Sequence, residues 1–434
     1  MTLLIYSSKE SPRLRYIVKQ LFTRMLGVPV NTTTKIEDFV AHNGPKFSYG
    51  KAPLGKELFF EATDLLFEKG IQDQNIKITE WKGLPCFFKV NKQESIINHD
   101  IFAASFYLIS RYEEYLPELS DELGRYQAKN SIAYKNDFLQ RPIVNEWLNE
   151  LIKVISEKYP ELQYAPNQYK LEFICEVNEA FAFKKKGWFR SIEGIAEDLY
   201  YLKFRRIIQR FKVLTGITKR DPNHTYNLII NKARKNNIRI NIFFGLGKYS
   251  IHEKSTNANS TTYQRLIKNI GDYCPIGLRL SFDAQKEVDL FKNEKKRFEQ
   301  ITHRNADRVF CQYGKIDLPN TYRELVEQEV LTDYSMGYLD HAGFRAGTCS
   351  SFLFYDLDYE IQTPLKIVPF CVSKNAFTNI KSLDQAISIC EPFFSKIKQV
   401  RGNALIHITN DLFNENYSRA PFWKGLYTYF LSKK

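Results

Sequence analysis

Apolar positions along the 434-residue chain follow two rhythms, and the change between them marks a boundary. Residues 2–6 form a short apolar run that reads as a strand. In SPRLRYIVKQLFTRM, Leu14, Ile17, Leu21 and Met25 fall on one helical face, with Ser11 as the N-cap and Pro12 in the first turn. NHDIFAASFYLISRYEEYL repeats this pattern, with Asp100 capping and Phe102, Phe106, Ile109, Tyr112 and Leu116 as the apolar stripe. RPIVNEWLNELIKVISEKYP predicts a long amphipathic helix with Val144, Trp147, Leu148, Leu151, Ile152 and Ile155 facing inward. Pro160 and Pro166 end it, so residues 1–165 read as an N-terminal α/β domain.

Beyond that point short apolar strands alternate with helical segments. Strands are expected at Lys170–Val177, Ile238–Phe244, Ile276–Leu280, Arg308–Cys311, Asp333–Gly337, Leu365–Phe370 and Ala404–Ile408. YNLIINKARKNN and FKNEKKRFEQIT are among the helical stretches between them. Repeated β-α units predict a parallel sheet or a distorted (β/α) barrel of about seven strands over residues 166–434. Chemistry in such folds gathers at the carboxyl ends of the strands. There lie CEVNEAF, the end of RLSF, CQY, GFRAG and TND.

Charge changes the picture in one place. The chain carries 62 Lys/Arg against 49 Asp/Glu, a net of +13, which points to an anionic partner. No nucleic-acid module is present, and none is expected to bind. Between Lys184 and Arg220, eleven basic residues face only Glu193, Glu197 and Asp198, a net of +8. Ile195, Leu199, Leu202, Ile207, Phe211 and Leu214 recur there at helical spacing. The segment 184–220 reads as a basic amphipathic insertion, either lying on an anionic membrane or glycan or packed on the barrel with its basic face in water. Seven scattered cysteines without C-x-x-C argue against a disulfide framework or structural zinc. The apolar run at the start is too short for a signal peptide, and no run is long enough to span a bilayer. The expected location is cytoplasmic, with peripheral contact at the inner face of the membrane.

No H-E-x-x-H, P-loop or G-x-S-x-G occurs, and the histidines show no paired ligand spacing. The most unusual stretch is DYSMGYLDHAGFRAGTCSSFLFYDLDYE, residues 333–360: one arginine, Arg345, lies between Gly343 and Gly347, and there is no lysine. With the following TPLKIVPF, this stretch resembles the NodB-type polysaccharide deacetylases, carbohydrate esterase family four. FSYG, DIFAASFYLISRYEEY and ELGRYQAKNSIAYKNDFLQRPIVNEWL resemble the extra N-terminal domain of one branch of that family. VNEAFAFKKKGWFRSIEGIAEDL, LPNTYRELVEQEVLTDYSMGY and NALIHITND resemble its deacetylase domain.

The resemblance implies a distorted barrel holding one metal ion, often zinc. It also implies an aspartate base, an aspartate and two histidines as ligands, a histidine acid on the last strand and an arginine that steadies the base. Carried over residue by residue, most of this is substituted. The base position holds Glu176 and the metal aspartate position Asn178. The first histidine falls on Arg279, a cation that repels metal. The second falls at Phe310, Cys311 and Gln312, and the acid position reads Thr409, flanked by Ile408, Asn410 and Asp411. His407 shares the strand face of Thr409 but sits deeper. Asn178, Arg279, Cys311 and Gln312 are thus degenerate metal positions. No cofactor is expected, zinc or another divalent ion entering only if the site is rewired. Glu176 and Arg345 are the candidate catalytic pair, and Asn178, Arg279, Phe344, Asn410 and Asp411 are candidates for substrate binding. Arg345 is expected to pair with Glu176, and Arg279 to join them as a second arginine around one carboxylate; the alternative for Arg345 is a purely structural ion pair. Three functions stay open. One is a catalytically inactive or repurposed protein that binds carbohydrate, anionic or lipid-linked, or a partner in envelope polysaccharide metabolism. Another is a deacetylase or hydrolase of acetylated sugars with an atypical site. The third is a membrane-surface assembly factor for envelope glycans.

Overall fold

Four short strands build the first sheet: β1 (Leu3–Tyr6), β2 (Val30–Thr33), β3 (Lys46–Gly50) and β4 (Leu58–Glu61), in the order β2-β1-β3-β4 and all parallel. The structure, a computed structural model, describes residues 2–165, 167–184, 188–218, 221–253 and 256–434, and of residues 188–191 and 193 it describes the backbone alone. The first helix starts where its cap predicts, the Ser11 hydroxyl accepting from Leu14 N at 3.0 Å. It runs α-helical over Pro12–Val18, then continues as a π-helix over Lys19–Met25 with Leu14, Ile17, Leu21 and Met25 buried. Asp100 caps the helix Ile101–Ile109 through Ala103 N. The expected stripe is cut before Leu116, because Arg111 turns into the left-handed region (φ 56°), where Glu113 and Glu114 hold it. The helix Ile143–Lys158 buries all six predicted inward residues. A small hairpin, β5 (Thr79–Trp81) with β6 (Leu84–Cys86), completes this part.

The second sheet is larger. Its strands are β7 (Lys170–Val177), β8 (Arg239–Gly245), β9 (Ile276–Leu280), β10 (Arg308–Cys311), β11 (Thr332–Asp333), β12 (Phe352–Asp356), β13 (Ile361–Ile367), β14 (Val372–Ser373) and β15 (Asn403–Thr409). Their order is β12-β13-β11-β10-β9-β8-β7-β15-β14, parallel except for β12 on β13. Helices Tyr226–Lys235 and Val288–Thr302 stand where expected. Strand β11 is shorter than predicted because the Asp333 carboxylate accepts from both Ser335 N (3.0 Å) and Ser335 Oγ (2.6 Å), turning the chain.

This sheet cannot be flat. Strands β10 and β15 are four spacings apart in the order, roughly 19 Å along a flat sheet, yet the rings of Phe310 and His407 lie 4.9 Å apart. The segment Ile361–Ser373 explains how. In its middle Ile367 pairs with Asp333 of β11, and at its end Val372 pairs with Ile406 of β15. Among the described residues the end strands β12 and β14 do not pair with each other. The wall is therefore a mixed α/β, largely parallel sheet curled until one piece of chain joins its two sides, rather than a ladder closed all the way round. Alternation then sorts the side chains. Ile174, Phe243, Phe310, Phe370 and Leu405 form a small core inside the curl, while Phe173, Cys175, Leu278 and Ile406 face the helices outside.

The lysine-free stretch 333–360 forms the seam between the two sheets. Arg345 donates to Glu114 from Nε at 2.8 Å and from Nη2 at 2.6 Å; its expected partner Glu176 is not among its hydrogen-bonded carboxylates. Arg111 reaches the same carboxylate at 2.7 Å. The neighbouring glycines let the backbones meet. A Cβ on Gly343 (φ 154°) would stand 2.7 Å from Leu139 O, and one on Gly347 (φ 63°) 2.7 Å from Leu108 Cδ1. Arg13 pairs with Glu360, Tyr16 OH donates to Leu353 O at 2.7 Å, and Thr348 Oγ1 donates to Asn145 Oδ1 at 2.7 Å.

Removing Glu114 would leave two buried guanidinium groups facing each other. Glu114→Ala is expected to cost about 3–5 kcal/mol of unfolding free energy, measured by urea denaturation, with Glu114→Asp costing less.

Candidate functional site

The inward alternation that fills the curl with apolar rings delivers a polar layer one step further along each strand. On β7, Glu176 follows Ile174; on β15, His407 and Thr409 follow Leu405; on β9, Arg279 follows Gly277; beyond β10, Gln312 follows Phe310. These residues share a cleft of about 540 Å³ at the carboxyl ends of the strands, with Asn178, Glu179, His252, Tyr313, Ser373, Lys374 and Asp411 among its walls.

Glu176 is its centre. One carboxylate oxygen lies 3.5 Å from Arg279 Nη1 and the other 3.3 Å from His407 Nε2. The His407 contact is electrostatic, its alignment falling short of a well-formed hydrogen bond. Burial by itself would raise the Glu176 pKa, but the His407 contact and the charges of Arg279 and Lys374 outweigh it and hold the group down at about 2. Arg279 in turn is gripped by Glu253, whose two oxygens accept from Nη2 at 2.6 and 2.7 Å. Burial would lower the Arg279 pKa, and Glu253 and Glu176 together raise it instead. His407 is wedged between the rings of Phe310 (4.9 Å, 11°) and Phe370 (5.7 Å), and its Nδ1 lies 2.8 Å from Ser373 Oγ. Lys374 Nζ donates to Thr409 Oγ1 at 3.1 Å. Gln312 Nε2 and Tyr313 OH both donate to His252 O, at 2.8 and 3.0 Å, pinning the loop that presents Glu253.

Of the residues singled out in the sequence, Glu176, Asn178, Arg279, Gln312 and Asp411 line this cleft. His407 shares the inner face with Thr409, one layer deeper, as strand alternation requires. Four others belong elsewhere, Arg345 among them, held by Glu114 at the seam. Phe344 is buried and stacks on Phe393 (5.0 Å, 14°), away from the cleft. Asn410 is spent on structure, accepting from Asn178 N at 3.2 Å and donating to Glu179 O at 2.9 Å. Cys311 faces the outer core beside the helices, where burial pushes its thiol up. The expectation of two arginines around one carboxylate is inverted: two carboxylates, Glu176 and Glu253, surround the single guanidinium of Arg279. Glu253, Ser373 and Lys374 carried no sequence signal, since they sit in a loop, a two-residue strand and a single 3-10 turn, all too short for periodicity.

The donor set does not fit the metal that the family resemblance implies. Both Glu176 oxygens face Arg279 and His407, and the Asn178 amide is turned to donate to Asp411 Oδ1 at 3.4 Å. Among the described residues no group of three or more His, Cys, Asp or Glu is placed to hold a metal ion.

Comparison with known proteins gives three findings. Residues 3–160 match the profile of a family of unknown function (DUF7033). No curated protein sequence matches the chain. Among solved structures, the chain is similar to a protein from Mycobacterium smegmatis assigned to the polysaccharide deacetylases (TM-score 0.37, 11% identity, 61% of this chain and 85% of that one). It is similar also to a CE4 family pseudoenzyme from Bacillus anthracis (TM-score 0.28, 9% identity, 62% and 63%) and to an allantoinase (TM-score 0.37, 10% identity, 61% and 84%).

A depressed carboxylate predicts an acid limb. Because the folded pKa of Glu176 lies below its ordinary 4.5, its stabilisation is complete above that value and is lost as pH falls towards 2. Glu176→Gln should therefore flatten the acid dependence of unfolding free energy by roughly 3 kcal/mol between neutral pH and pH 2, read from urea titrations across pH.

Proposed function

We propose that this chain binds carbohydrate in the Glu176 cleft through fixed polar side chains, and that it does so without metal-dependent hydrolysis. The observation that carries this reading is the chain of contacts Glu253–Arg279–Glu176–His407. It uses both oxygens of the residue at the base position and puts a guanidinium where the family resemblance calls for a metal ligand. What remains for a ligand is a wall of hydrogen-bonding groups, Asn178, Lys374 and Asp411, with the rings of Tyr313 and His252 beside them. Such a lining suits the hydroxyls of a sugar. The wall sets acidic Glu176, Glu179 and Asp411 against basic Arg279 and Lys374, so it has no excess of positive charge, which favours a neutral sugar over the anionic one expected from two arginines.

One contact favours a second reading, an acyl hydrolase without metal. Ser373 Oγ, His407 Nδ1 and Glu176 follow one another at 2.8 and 3.3 Å. In that chemistry Ser373 Oγ would bond to the acetyl carbon of an N-acetyl sugar, its proton passing to His407 and on to the departing amine. Water would then release acetate, with Glu176 steadying the ring throughout.

Titration with N-acetylglucosamine oligomers, followed by NMR, separates the two. Saturable binding with no acetate released is expected, weakened roughly tenfold by Lys374→Ala. Acetate release that disappears in Ser373→Ala would establish the second reading, and absence of any binding would remove the first.

A further inference from the structure

The insertion after β7 carries its polarity inside out. Helices Trp188–Tyr200 and Phe204–Leu214 form a hairpin that, among the described residues, buries an ion pair between them. Asp198 accepts from Arg210 Nη2 at 2.6 Å, lies 3.3 Å from Arg206 Nη1, and its backbone oxygen accepts from Lys203 N at 2.7 Å. Arg210 also covers the ring of Phe183 at 4.8 Å, and among the described residues Val213 joins Ala182 and Phe183 in a small apolar contact beneath. The base is fixed: the Asp221 carboxylate accepts from the backbone of Ala182, Phe183 and Lys184 at 2.6, 2.9 and 3.1 Å.

The apolar residues point the other way. Leu199, Leu202, Phe204, Ile208, Phe211 and Ile217 are between 50% and 71% exposed, and Tyr200 and Tyr201 flank the turn, edge to face at 5.1 Å. The periodicity that predicts a helix packed by its apolar stripe is present, but Leu199, Leu202, Phe211 and Leu214 of that stripe face outward. A contiguous apolar face of this kind implies something that covers it. Charge says what. From Leu199 to Thr218 there are five basic residues and no acidic one, and Lys203, Arg205 and Lys212 are exposed among the apolar side chains. Apolar residues, tyrosines at the edge and basic side chains on one surface match the layered chemistry of an anionic bilayer face.

We propose that the hairpin 188–218 docks on an anionic lipid bilayer, its apolar side chains entering the headgroup boundary while Lys203, Arg205 and Lys212 meet headgroup charge. The hairpin leaves the curled sheet at the same end as the cleft, and its base is tied there by Asn223 Nδ2, which donates to Glu179 O at 3.0 Å. Docking would bring the cleft to the membrane side of the protein. The surface stands independently of what the cleft binds.

Co-sedimentation of the full chain with vesicles tests this. Binding is expected to phosphatidylcholine vesicles containing phosphatidylglycerol, to be far weaker to phosphatidylcholine alone, and to fade as salt is raised. Each basic residue near an anionic surface is worth roughly fivefold, so Lys203→Ala/Arg205→Ala/Lys212→Ala should weaken binding on the order of 100-fold. Phe204→Ser/Ile208→Ser/Phe211→Ser should abolish it with the melting temperature unchanged, since all three side chains are exposed. Equal binding to both vesicle types, or wild-type binding by both variants, would overturn the proposal. So would failure to bind vesicles together with self-association that the serine variant abolishes, which would assign the face to a second copy of the chain.

Discussion

A charge carried out of water must meet an opposite charge, and this constraint organises the molecule twice. Between the two sheets, Arg345 and Arg111 converge on the buried carboxylate of Glu114. Burial would push that carboxylate up, but the two arginines hold it below the usual carboxylate range. At the strand ends Arg279 lies between Glu253 and Glu176. Breaking either group by removing one partner strands the remaining charges, so neither can drift without large cost. The first group fixes how the N-terminal part sits on the curled sheet. The second fixes what the cleft can do.

The route from chain to site runs through the curl. A segment that pairs with β11 in its middle and β15 at its end draws distant strands together, and strand alternation then stacks an apolar layer below a polar one. Ile174, Phe243, Phe310 and Leu405 form a dry floor. Directly above it stand Glu176, Arg279, Gln312 and His407. His407 is held by geometry as well as charge, with aromatic rings on two sides and Ser373 on its far nitrogen. Preorganisation of this kind serves binding, because little side-chain freedom remains to be lost when a ligand arrives.

Much of this was legible in the sequence, for identifiable reasons. Helix caps at Ser11 and Asp100 are local, so the starts of both helices were readable. Strands β7, β9 and β10 are short segments rich in apolar residues between polar stretches, and their bounds follow from composition. What could not be read was pairing at a distance. Arg345 was matched to Glu176, yet its partner Glu114 lies in the other half of the chain, where no periodicity links them. SFLFYDLDYE became the hairpin strand β12 and part of the seam because Tyr355 packs against Tyr16 and Phe106 of the N-terminal part, information absent from the stretch itself. Residues 185–187 and 219–220 of the segment 184–220 lie outside the described residues; the rest forms two helices, Trp188–Tyr200 and Phe204–Leu214, but spacing does not say which way a face points. Burial of the Asp198–Arg210 pair turned it outward. Among the described residues no helix is long and apolar enough to cross a membrane.

The central claim is that the buried guanidinium of Arg279 replaces metal chemistry at Glu176. Metal content of the purified chain, before and after incubation with zinc and desalting, tests it most directly. The account predicts only trace metal in both samples. One equivalent of zinc retained per chain, and lost on Glu176→Gln or Asn178→Ala, would contradict it.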